Sequence, residues 1–208
     1  MKKIMNLAGQ IRIYSLVDLM LLLVAVNATS NQFVGSICLW IGFLLFLEAG
    51  HKHSYRKKFP KGSWIILWMI GLYFFHQPEA LGFIVLSILY TQKNKWNFAL
   101  ISPIVRGLQT IVLLWGITGH VGAFVMLAGI LITIRNLLGD IRDSYKDSQE
   151  NKKTLPVLLN YKPQAKYIHL CGCFLTSTAW WIYSSGLSFL WLIIIWVIQA
   201  VSERWTPR

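Results

Sequence analysis

A chain of 208 residues that is 55% hydrophobic and only 13% charged falls well below the charged fraction of soluble globular domains, roughly a quarter. Its formal charge of +12 would suit nucleic acid. However, the basic residues lie between apolar stretches and no basic–aromatic strip joins them, so a nucleic-acid partner is excluded. Cys38, Cys171 and Cys173 all fall within apolar runs and read as small packing residues, not as a zinc or disulfide framework.

In chain order, apolar stretches recur at about residues 13–28, 33–50, 63–77, 79–91, 98–118, 120–138, 166–183 and 187–202. Crossing a bilayer takes about 20 helical residues, with roughly 17 as the lower bound. The third and fourth stretches must therefore gain length from their flanks, or one of them is half-buried. The expected fold is an all-α, polytopic transmembrane bundle of about eight spans, with residues 1–208 as a single integral membrane domain. Met1, Lys2 and Lys3 before an apolar run resemble the start of a signal peptide. Asp18 interrupts the run, and removing the first span would put the loop charges out of step with the N-terminus.

The connectors alternate in kind. "TSNQ", "HQPE", "TGH" and "SSG" carry no Lys or Arg, whereas "HKHSYRKKFPKG", "TQKNKWN", the segment 139–166 and both termini carry almost all of them. The positive-inside rule then places both termini and every basic loop in the cytoplasm. A multi-pass protein of a cell (inner) membrane, with its active side cytoplasmic, is the expectation.

Ionisable residues inside spans are costly and face a cavity or a partner. Asp18 in the first span is one such residue; Arg106 could pair with it, hold a diphosphate oxygen, or snorkel to the cytoplasmic headgroups. Arg106 sits in the fifth span, roughly 12 Å deep at about 1.5 Å per residue. Glu48 and His51, at the exit of the second span, can share a helix face. Lys93 and Lys95 follow the fourth span, and Arg135 and Asn136 lie near the end of the sixth.

The chain has eight acidic residues, and four of them fall between Gly139 and Leu159. Asp140, Asp143 and Asp147 stand at i, i+3 and i+7, so on a helix they share one face. Three like charges repel unless cations compensate. One compensation is Mg²⁺, whose hard oxygen ligands commonly bridge carboxylates to a substrate phosphate. The other is Arg142, Lys146, Lys152 and Lys153 on a solvated helix face. Spacing alone leaves both open.

"NLLGDIRDSYKDSQENKKTLPVLL" resembles the second aspartate-rich motif of the UbiA superfamily of intramembrane prenyltransferases. Asp140, Asp143 and Asp147 fill its acidic positions, and Lys153, Thr154, Leu155 and Pro156 fill its tail. Asn151 stands where the family usually has Gly, and Ser148 where it usually has Arg. "LYTQKNK", "KKFPKG" and "VRG" are similar to further family stretches in the same register. The resemblance implies a UbiA-like fold in which Mg²⁺ on Asp140, Asp143 and Asp147 binds an isoprenoid diphosphate. Arg106, Lys93, Lys95 and Lys153 would share the charge of that diphosphate, and Asn136 would position ligand or metal water. The prenyl group would pass to an aromatic or lipid acceptor reached through the membrane.

The family's first aspartate motif is absent. In its place stands "LEAGHKHSYRKKFPKG", where Glu48, His51 and His53 are the available ligands. This departure implies an alternative: a catalytically degenerate scaffold that binds lipid or a membrane protein partner.

Overall fold

The computed structural model describes residues 10–50, 59–60, 62–93, 95–96, 98–161, 165, 167–184 and 186–205. Among these, every apolar stretch forms a helix. The elements are α1 (Ile13–Ala25), α2 (Ser30–Gly50), α3 (Ser63–Phe75), α4 (Glu79–Thr91), a 3₁₀ turn (Ala99–Ile101), α5 (Ser102–Thr118), α6 (Ala123–Gln149), α7 (Leu155–Leu158), α8 (Ile168–Tyr183) and α9 (Phe189–Trp205). No strand occurs among the described residues. Ser30–Gly50, Ala99–Thr118 and Ala123–Gln149 are long and apolar enough to cross a membrane. The other apolar helices are shorter, as expected for the third and fourth.

Helix ends follow local chemistry. Pro103 occupies the first turn of α5, where its missing N–H is not needed, and α5 stops at Gly119 with φ 73°. After α6 the chain reverses at Asn151, whose φ of 53° fits the Gly-like turn expected there.

Packing between helices closes a ring. α1 contacts α2, α2 contacts α4, α4 contacts α5, α5 contacts α6, α6 contacts α8, and α8 returns to α1. α3 lies outside this ring against α2, and α9 lies outside it against α1 and α8. One apolar core gathers Leu19, Trp40, Phe43, Phe75, Phe83 and Leu113; a second gathers Leu22, Leu114, Ile132, Trp180 and Ile195. The outward faces are apolar too, with Ile66, Met69, Leu81, Ile130, Ile182 and Val197 more than half exposed. Exposed apolar surface on that scale marks contact with lipid or protein.

One close approach sets the site. A Cβ on Gly107 would lie 2.6 Å from the Gly129 carbonyl oxygen and would also meet Thr133. Only glycine lets α5 lie this close to α6, and Gly107 directly follows Arg106.

Candidate functional site

The alternating helices bring their basic ends together at one end of the ring. A cavity of about 20 Å³ lies there, room for about one water molecule. Each of the six ring helices contributes to its wall. Arg12, Tyr14 and Ser15 come from the start of α1, Phe43 and Leu44 from α2, and Tyr90 from α4. Arg106 comes from α5, Arg135 and Asn136 from α6, and His169 from α8.

Three guanidinium groups thus share one wall, and their partners differ. Arg135 is ion-paired with Asp18, both buried. This corrects the candidate Asp18–Arg106 pair: Asp18 reaches across the ring to α6 instead of α5. Arg12 lies 3.6 Å from Glu48. Glu48 is buried, with that guanidinium beside it. His51, its expected companion, lies outside the described residues.

Arg106 is 4% exposed and has no carboxylate within ion-pair range among the described residues. It donates to Gln109 Oε1 at 2.8 Å, and Gln109 donates in turn to Ser87 Oγ at 2.8 Å. Its guanidinium carbon lies 4.1 Å from the Trp40 ring centre and 4.4 Å from that of Phe43. A desolvated cation–π contact contributes about 2 kcal/mol. Removing an ion from water costs several kcal/mol, so the rings offset only part of that cost.

The aspartate segment lies beside this cavity, one helical turn beyond Asn136. Asn136 lines the cavity wall and donates its Nδ2 to the Ile132 carbonyl at 2.8 Å. Asp143 accepts a two-pronged contact from its neighbour Arg142, at 2.8 and 2.7 Å. Arg142 also donates to Glu203 Oε1 at 3.0 Å. Lys152 donates to Asp147 at 3.0 Å and pairs with Glu150 at 2.6 Å. Much of the acidic face is therefore neutralised by Arg142 and Lys152, the second of the two compensations open at the sequence level. Asp140 differs: its Oδ2 is buried and has no hydrogen-bond partner.

Lys93 lies against the cavity-lining Tyr90, its Nζ 4.6 Å from the ring centre. Burial pulls its ammonium down, but Tyr90, Asp140 and Asp147 together outweigh burial and hold it above the ordinary lysine value. Its Nζ also donates to Ser102 Oγ at 3.2 Å. Lys95 and Lys153 are exposed.

Among the described residues no three His, Cys, Asp or Glu side chains gather as a metal cage. Magnesium at phosphate sites commonly uses only one or two carboxylates, with substrate oxygens and water completing the shell. Asp140, with its unpartnered oxygen, fits that smaller role, whereas Asp147 already accepts from Lys152. Asp143, forked by Arg142, fits it less well.

Sequence reading did not single out Arg12, Tyr14 or His169. Arg12 counted only as one more charge at a cytoplasmic end. His169 lies 3.6 Å from Glu203 through its Nδ1, edge-on to Tyr14, so a polar chain Asp143–Arg142–Glu203–His169 ties α6, α8 and α9 together. A His and a Glu separated by 34 positions give no spacing signal. Gln109, three residues after Arg106 inside an apolar span, was a readable partner. Comparison with known proteins gives no match, whether to a family model, a curated protein or a solved structure.

Proposed function

We propose that this chain is a reduced intramembrane prenyltransferase of UbiA-like fold, with eight spans and both termini in the cytoplasm. It would move an isoprenoid group from a prenyl diphosphate to an aromatic or lipid acceptor. The observation that carries the reading is a juxtaposition. Asp140, with its unpartnered oxygen, lies one helical turn beyond the cavity-lining Asn136, Lys93 lies against the cavity-lining Tyr90, and Arg106, with no carboxylate in ion-pair range, lines the cavity itself. A diphosphate there would meet a charged group on each side. The aspartate spacing, the Thr154–Pro156 tail and the Asn151 turn support the same reading.

In this mechanism Lys93 and Arg106 bind the diphosphate oxygens and hold the leaving group in one orientation. Asp140 would hold Mg²⁺, which would add positive charge against the charge developing on the diphosphate. The allylic C–O bond breaks with its electron pair leaving on diphosphate. The acceptor's nucleophile bonds to the allylic carbon, and its proton departs to diphosphate or water. Lipid around the apolar outer faces receives the isoprenoid tail.

A second reading, a scaffold that binds an isoprenoid phosphate or membrane partner without turnover, is favoured by one specific observation. Asp143 and Asp147 are already paired with Arg142 and Lys152. The test is release of inorganic diphosphate from farnesyl diphosphate by the purified chain in nanodiscs. Mg²⁺-dependent release that falls away in Asp140→Asn supports the enzyme. Equal release by the Asn variant removes the metal role, and no release by the wild type favours the scaffold.

A further inference from the structure

This inference rests on reading the site as one for a prenyl diphosphate. No carboxylate lines the cavity, so nothing in its wall brings a metal ion to an incoming phosphate. Three guanidinium groups line it instead. Arg135 is balanced by Asp18, and Arg12 by Glu48. Arg106 carries the surplus charge. It is almost fully buried, and its hydrogen-bonded partner Gln109 is neutral. Tyr14, Tyr90, Ser15 and Asn136 add polar groups to the same wall.

We infer that this cavity is a metal-independent oxyanion site that takes the terminal phosphate of the isoprenoid diphosphate. The substrate would then be held from two sides by different chemistry. Asp140 and Lys93 act from beside the cavity, next to its lining residues Asn136 and Tyr90, and Arg106 binds the phosphate directly from within. Guanidinium is suited to this task because its planar donors match two phosphate oxygens at once. The cavity holds about one water molecule as it stands, so a phosphate enters only if a wall residue moves. Arg12 is that residue. It is the most exposed of the three arginines, its ion pair is the longest, and its Nε has no partner. Its backbone also lies in the left-handed region, at φ 50°, where a side-chain-bearing residue stores strain.

The experiment is equilibrium binding of inorganic diphosphate to the full chain in phosphatidylcholine nanodiscs containing EDTA. Wild type is expected to bind in the absence of metal. Arg106→Gln should weaken binding by at least about tenfold, with Arg106→Lys between them because it keeps charge and loses the fork. A melting curve for each variant separates lost binding from lost folding. No wild-type binding in EDTA, or equal binding by a folded Arg106→Gln, would overturn the inference. A parallel arm adds phosphatidate to the nanodisc. Displacement of diphosphate there would overturn the assignment to substrate and give the site to lipid headgroups. Mg²⁺-dependent turnover of farnesyl diphosphate without binding in EDTA would remove this inference alone. Binding in EDTA without turnover would remove only the catalytic reading.

Discussion

Asp18 on α1 and Arg135 on α6 form an ion pair across the helix ring, with 1% and 3% of their side-chain surface exposed. The pair fixes one guanidinium in the cavity wall and joins the first helix to the helix that carries the aspartates. Its energetics are asymmetric. Removing one partner of a buried pair leaves an uncompensated charge and costs about 3–5 kcal/mol, whereas replacing both with apolar groups of similar volume is often close to neutral. Asp18→Asn should therefore lower the melting temperature sharply, and Asp18→Leu with Arg135→Met should recover most of the loss. Thermal unfolding of wild type and the two variants in one detergent checks this. A single variant as stable as wild type would contradict the pair's structural role.

Gly107 gives a second test. Its missing Cβ permits the α5–α6 approach that sets Arg106 opposite Arg135. Gly107→Val forces the two helices apart and should cost about 1–3 kcal/mol in stability. Prenyl diphosphate binding should weaken with it, even though residue 107 offers no polar group. Unchanged binding in the Val variant would show that the site tolerates a wider crossing.

The three aspartates should not respond alike. Asp140 keeps an unpartnered oxygen, while Asp143 is forked by Arg142. Asp140→Asn is expected to reduce Mg²⁺-dependent diphosphate release by on the order of a hundredfold, the upper end for disturbed metal sites, and Asp143→Asn by nearer tenfold. The initial rate at saturating Mg²⁺ is the measurement. The reverse order would move the metal to Asp143.

Lys93 predicts a pH dependence. Its ammonium is held above the ordinary lysine value because Tyr90, Asp140 and Asp147 outweigh the effect of burial. A group whose folded value is raised contributes stability that is complete below its unfolded value and lost as pH rises through the folded one. Melting temperature should fall with pH above about 10. Lys93→Met should flatten that fall, and an unchanged slope would contradict the coupling to Asp140 and Asp147.

Much of this arrangement was legible in the sequence. Uninterrupted apolar runs and alternating basic connectors gave the helices and placed Arg12, Lys93, Arg106, Asn136 and Asp140 at one end. Asn151, at φ 53°, stands where the resemblance implies a Gly, and asparagine tolerates that conformation. Pairing was not legible. Depth along a span is countable, but rotation about the helix axis is set by packing, and so Asp18 meets Arg135 and not Arg106. The Glu48–Arg12 pair was missed for a similar reason. A loop-end arginine reads as an orientation signal until tertiary contacts turn it inward. The polar chain from Asp143 through Arg142 and Glu203 to His169 joins residues from three helices that no local spacing relates.

The central claim is that the basic end of the ring receives the diphosphate end of an isoprenoid. The direct measurement is binding of radiolabelled geranylgeranyl diphosphate to the purified chain in nanodiscs with Mg²⁺, in competition with inorganic diphosphate and with geranylgeraniol. The account predicts displacement by diphosphate, little displacement by the alcohol, and loss of binding in Arg106→Gln. Binding that the alcohol displaces as well as diphosphate does, and that Arg106→Gln retains, would contradict it.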